Sequence, residues 1–213
     1  MPTEHFQNLK PERKNSIVRA FTRQFATREY SDISVKELAD EAEISRGSFY
    51  LYFSGKEDAF LTSVKSYTDR LEQDLLSIYE TSQGVEDMVL QVFDYLTHLS
   101  TFEHSFFEKI SNNLSLGIPD IIAQTFDQFS YKLDDILNQR IRDAGIAITP
   151  EIMDEINIRK ETLFSIMICA LINIGIHRTT PTEERESLRK KVNLIISLKS
   201  KIEQEKEHLE VTE

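Results

Sequence analysis

Apolar residues recur at helical intervals through the chain. Ile17, Val18, Phe21 and Phe25 form one stripe of a helix over about 11–27. Val35, Leu38, Ala39 and Ala42 mark a second, opened by Ser34, which stands three residues before Glu37 at the spacing of a capping box. A break at Glu43 and Ile44 follows. Ser45 then caps a short helix from Arg46 to about Phe53, with Phe49 and Phe53 on its inward face. Two short helices joined by a turn of about 3–4 residues have the geometry of a DNA-reading helix-turn-helix, here over 34–53. Residues 1–8 read as a loose arm and 29–33 as a connector.

The periodicity continues to the end of the chain. Ser54 and Glu57 repeat the capping spacing and open a helix at about 55–56. Phe60, Leu61, Val64, Tyr67, Leu71, Leu75 and Ile78 carry its stripe to about 81. After Ser82, Gln83 and Gly84 a helix reaches about 100, with Met88, Val92, Tyr95, Leu96 and Leu99 on one face. A short helix over about 102–112 precedes a loop over 112–119. The next helix spans about 120–144, and Gly145 suits its C-terminal cap. Thr149 and Pro150 open a helix to about 177, and Thr180, Pro181 and Glu183 open the last. The charged tail after 202 reads as fraying. The expected fold is all-α with about nine helices: an N-terminal three-helix head over 1–55 and a C-terminal helical body over 56–213.

Composition supports this reading. Apolar residues make up 40% of 213, and six Gly and five Pro are few for an all-β chain. The single Cys169 excludes an internal disulfide framework and fits a reducing cytosol. No apolar leader is read, and the longest apolar run, 163–176, is too short to span a bilayer. A cytoplasmic protein without membrane contact is therefore expected. The net charge of −11 argues against a nucleic-acid partner until its distribution is considered. Lys10, Arg13, Lys14, Arg19, Arg23 and Arg28 face only Glu12 within 10–28. A basic segment on an acidic body is consistent with a local DNA-contact face.

The run Ser45-Arg46-Gly47-Ser48-Phe49-Tyr50-Leu51-Tyr52-Phe53, followed by Ser54-Gly55-Lys56-Glu57, resembles the TetR family of bacterial transcriptional regulators, over about 11–71. One departure is Glu43, where the family usually has Gly. A positive φ there costs a side-chain-bearing residue about 1 kcal/mol. The resemblance implies a regulator that binds double-stranded DNA, not an enzyme, and no cofactor, metal or catalytic residue is expected. Ser34, Lys36, Ser45, Arg46, Gly47, Ser48, Tyr50, Tyr52 and Lys56 are the expected DNA contacts. Hydroxyls and lysines set register on phosphates, and side chains early in the second helix reach base edges. Arg46 can bind guanine through two hydrogen bonds. Gly47 permits close approach, and Lys56 lies in a first turn whose free N–H groups suit phosphate.

The resemblance also implies a homodimer built on a four-helix bundle, with Leu163, Met167, Leu171, Ile174, Leu188, Val192, Ile195 and Ile196 at the interface. Two recognition helices about 34–36 Å apart would then read a near-palindromic operator. By the same analogy the middle helices enclose an effector pocket, with Phe93, Leu96, Phe102, Phe106, Phe107, Phe126, Phe129 and Met167 as its expected lining. A hydrophobic small molecule there would release a repressor from DNA by a population shift. For any single ring, filling the core is the commoner role. The competing class is an all-helical enzyme or lipid-binding module without DNA function, and an activator is a further alternative. No nucleophile–base pair or phosphate loop supports the enzyme. His98, His104 and His177 show no helical pairing, and Glu205 and His208 lie in the charged tail.

Overall fold

The computed structural model describes residues 2–143, 145, 149–176 and 178–210. Expectations placed on His177, and on the side chains of Phe126, Glu205 and His208, lie outside this description. The described residues form ten α-helices, two short 3-10 turns and no strand. They fall into two compact units, 1–76 with 99–133, and 77–98 with 134–213.

The first unit opens with α1 (Glu4–Gln7), a turn of helix where a loose arm is expected. Its anchor is Phe6, buried against Phe53 at 4.8 Å between ring centroids. α2 (Pro11–Thr27) buries Ile17, Val18, Phe21 and Phe25, the expected stripe. A 3-10 turn at Tyr30–Asp32 leads to α3 (Val35–Glu41) and α4 (Arg46–Tyr52). α5 (Lys56–Thr81), α7 (Thr101–Asn112) and the start of α8 (Ile118–Asp143) complete the unit, with a second 3-10 turn at Leu114–Leu116. Phe25, Phe60, Phe106 and Tyr67 join α2, α5 and α7 in one aromatic core with Leu38, Phe49 and Phe53. Lys109 of α7 also pairs with Glu29.

One capping pair differs from its expected form. Ser54 donates from N–H and Oγ to Oδ2 of Asp58, at 3.0 and 3.2 Å, rather than pairing with Glu57. Asp58 is buried and Glu57 is exposed. The helix starts one residue later than a capping box at Ser54 requires, so the third helical position is Asp58.

In the second unit α6 (Val85–Thr97), α9 (Pro150–Gly175) and α10 (Pro181–Glu210) pack around Val89, Leu90, Phe93, Ala170, Leu188 and Val192. Gly145 has a φ of 72° just past α8, where a C-terminal cap is expected. The buried Glu184 accepts from Asn173 and Thr179, both at 2.9 Å, and ties the α9–α10 hairpin together. The tail expected to fray is continuous helix to Glu210, because Glu, Gln and Lys are good helix formers.

The expected dimer stripe needs correction at its centre. Leu188 and Val192 are 1% and 0% exposed, and Leu163, Leu171 and Ile174 pack on the unit's own core. Met167 and Ile195 are half-buried, and Ile196 is exposed. From Leu163 onward α9 is apolar on most faces, so its sequence there does not say which side faces inward. The open side carries Phe164, Ile168, Ile172 and Ile176 at four-residue steps, joined on α10 by Leu194 and Ile196.

Candidate nucleic-acid interface

The site is built from two short helices, each fixed at its start by a serine. At α3, Ser34 Oγ accepts the Glu37 N–H at 3.2 Å, and Glu37 Oε2 accepts the Ser34 N–H at 2.8 Å. The box is complete, and Ser34 also donates its hydroxyl to the same carboxylate at 2.7 Å. Arg28 donates to the other Glu37 oxygen at 2.8 Å. These bonds, those from Ser34 foremost, hold the Glu37 carboxyl at about 2, well below its ordinary range.

α3 ends in a Schellman turn. The Ile44 N–H reaches the Ala39 carbonyl at 3.0 Å and the Glu43 N–H reaches Asp40 at 3.1 Å. Glu43 occupies the left-handed position at φ 52°, where glycine carries no penalty. Arg13 steadies the turn by donating to the Glu43 carbonyl at 2.8 Å.

α4 is the helix expected to read DNA. Ser45 Oγ accepts the Ser48 N–H at 2.9 Å, and the Phe53 N–H closes the last turn on Phe49 at 2.8 Å. Phe49 and Phe53 are fully buried and meet Phe21 at 5.8 and 5.2 Å between centroids. With those two rings turned inward, Ser45, Arg46, Gly47, Tyr50 and Leu51 are exposed, and Ser48 and Tyr52 are half-buried. The Arg46 guanidinium lies 5.8 Å from the Tyr50 ring centre. Leu51, 46% exposed beside Tyr50, lies outside the expected contact set. Its apolar character reads as core, but its register, two after Phe49 and two before Phe53, puts it on the opposite side.

Two expected contributions take a different form. The Lys56 ammonium donates to the Tyr30 carbonyl at 2.7 Å and lies 4.3 Å from the Tyr30 ring centre. Burial, with Glu57 nearby, raises the Tyr30 hydroxyl above its ordinary value. Lys56 thus fastens α5 to the connector as well as standing at the first turn. Four of the basic residues of 10–28 likewise brace the head: Arg13 on the turn, Lys14 on the Gln7 carbonyl, Arg23 on Glu41 and Arg28 on Glu37. Lys10, Arg19 and Lys36 are exposed.

The residues expected to line an effector pocket are divided between the units. Phe106 is buried in the first core and Phe93 in the second. Phe102 and Phe107 are exposed, while Leu96, Phe129 and Met167 are half-buried. Phe102 borders a groove of about 720 Å³ in the first unit, together with Phe6, Val18, Leu61 and Tyr67. His98 sits 2.7 Å from the Asp94 carbonyl. Among the described residues no three His, Cys, Asp or Glu side chains gather as a metal site, and no helix is long and apolar enough to cross a membrane.

With this geometry in hand, similarity to known proteins is informative. Residues 17–61, which hold the last eleven residues of α2, all of α3 and α4, and the start of α5, match the family of bacterial regulatory proteins named tetR. An uncharacterised helix-turn-helix regulator of Bacillus subtilis, YuxN, is 36% identical over 67 residues, 32% of this chain and 23% of that protein. The transcriptional activator FasR of Mycolicibacterium smegmatis is 26% identical over 141 residues, 64% of this chain and 63% of that protein. The chain thus covers less than two thirds of either relative. A TetR-family regulator structure from Mesorhizobium loti superposes with a TM-score of 0.64 at 16% identity, covering 88% of this chain and 96% of that one. The fold is shared along nearly the whole chain, and the sequence likeness concentrates on residues 17–61, which carry a helix-turn-helix head of the tetR type.

Proposed function

We propose that this chain is a transcriptional regulator of the TetR family that binds a near-palindromic operator as a homodimer and acts as a repressor released by a hydrophobic small molecule. The observation that carries the DNA reading is the split of α4, with Phe49 and Phe53 locked inside while Arg46, Gly47, Tyr50 and Leu51 stand in solvent. A helix held proud in this way can enter a major groove. Arg46 reads a base, Tyr50 and Tyr52 contact the backbone, and Ser34, Lys36, Ser45, Ser48 and the first turn of α5 at Lys56 fix register on phosphates.

The dimer reading rests on the open side of α9. Phe164, Ile168, Ile172 and Ile176 form an apolar stripe longer than three turns, and Leu194 and Ile196 extend the apolar exposure on α10. A two-fold pairing through these helices makes an intermolecular bundle. The effector reading rests on the aromatic content of the body, where Phe102 and Phe107 are exposed and Phe129 is half-buried. Ligand differential affinity of about 1–3 kcal/mol loosens DNA binding roughly 5–150-fold.

The test is selection of a duplex from a random-sequence library by the full chain, followed by titration at several salt concentrations. Enrichment of an inverted repeat with centres one helical turn apart, and affinity that falls steeply with salt, is the expected result. Failure to enrich any sequence overturns the reading. A reporter fused to the selected duplex separates repression from activation, and a titration with hydrophobic ligands, acyl-CoA included, tests release.

A further inference from the structure

We propose that the segment preceding α2, Thr3 to Gln7, is a brace that fixes the C-terminal end of the recognition helix, and that sequence-specific DNA affinity depends on it. The inference rests on the DNA reading of α4 given above. α4 has seven residues, less than two turns, too short to hold itself in water. Its last carbonyls lack intrahelical partners and must be satisfied from elsewhere.

Thr3 meets that need twice. Its N–H donates to the Tyr52 carbonyl at 2.9 Å, and its hydroxyl donates to the Leu51 carbonyl at 2.7 Å. Both acceptors immediately follow Tyr50, the outward-facing aromatic of the helix. Three residues on, Phe6 is 4% exposed and packs on Phe53 at 4.8 Å and on Tyr52 at 6.1 Å between centroids. The far end is clipped as well, because Lys14 of α2 donates to the Gln7 carbonyl at 3.0 Å. The segment therefore links α2 to the end of α4 and restrains the tilt of the face that enters the groove. Thr3 touches the helix and not the base edges, so it is a positioning residue.

The backbone at Thr3 makes a clean test possible. Its φ of −70° is the angle proline holds, so Thr3→Pro removes both donors without straining the backbone at residue 3, while its ring Cδ pushes the Tyr52 carbonyl out of hydrogen-bonding reach. Thr3→Val removes only the hydroxyl donor, and Thr3→Ser restores it. Full-length chains are titrated with the library-selected duplex and with a scrambled duplex, alongside melting temperature and amide exchange. Losing one such hydrogen bond weakens the selected duplex about 3–10-fold in Thr3→Val, and more in Thr3→Pro. Thr3→Ser stays within twofold of the parent chain. Amides of α4 exchange faster in Thr3→Pro while those of α2 are unchanged, and affinity for the scrambled duplex barely moves. Selected-duplex affinity within twofold of the parent in both Thr3→Val and Thr3→Pro overturns the brace. Equal loss for both duplexes with a collapsed melting temperature also overturns it, since that is general unfolding. A parent chain that selects no duplex removes the DNA reading itself, and the brace with it.

Discussion

At Gly47 the fold and the proposed function make different demands. A Cβ added there meets only Ser45 Oγ, at 3.7 Å, an ordinary contact, and the position is exposed. Nothing inside the head requires glycine, and alanine favours helix by about 0.5–1 kcal/mol. Gly47→Ala is therefore expected to keep or raise the melting temperature while weakening the selected duplex at least tenfold, read by paired thermal and DNA titrations. Undiminished affinity removes Gly47 from the interface. Glu43 shows the opposite case. Its φ of 52° is strained for any residue with a Cβ, so Glu43→Gly should stabilise the head by about 1 kcal/mol in urea unfolding. A loss of stability would show that the Glu43 side chain matters more than its backbone. The strain was legible only through the resemblance, which has glycine in the turn where this chain has Glu43. The Asp58 pairing was not, because Glu57 and Asp58 differ by one position and only the start of α5 decides between them.

At the scale of elements, helix starts were the most readable feature. Ser34, Ser45 and Thr180 all accept the N–H three residues on, as short polar side chains before an apolar run are able to do. α1 was hidden because one buried ring among polar neighbours gives no periodicity, and Phe6 finds its partners only through the tertiary fold. The Ser34 box also sets a pH dependence. Glu37 ordinarily titrates near 4.5 and is held at about 2 in the folded head, so the folded state favours its carboxylate. That contribution is complete above 4.5 and is lost as the pH falls toward 2. Comparing the parent chain with Glu37→Gln in urea unfolding between pH 5 and 2.5, the parent should lose its advantage progressively as acid is added. Parallel curves would remove the box from the acid response of the head.

At the scale of the whole molecule, the sequence separates a head that carries a specific string from a body that carries only a period, whereas the compact units of the structure are 1–76 with 99–133 and 77–98 with 134–213. The inner and outer sides of α9 could not be told apart. Leu163, Leu171 and Ile174 are as apolar as Phe164, Ile168 and Ile172, and only the packing of α6 and α10 distinguishes them. That distinction yields the sharpest test of assembly. Ile172 is 55% exposed on the open side, so Ile172→Glu leaves the unit's own core intact and places a charge where a partner copy would desolvate it. The expected outcome is a monomer by light scattering at micromolar concentration, with an unchanged helical spectrum. Each head then binds alone, and affinity for the full inverted repeat falls toward that for a half-site, because the second contact is no longer intramolecular. Leu188→Ala, at a position 1% exposed, is the control. It opens a cavity and lowers the melting temperature without changing the oligomeric state. If Ile172→Glu remains a dimer and keeps its preference for the full repeat, the two copies meet elsewhere, and the apolar side of α9 needs another occupant.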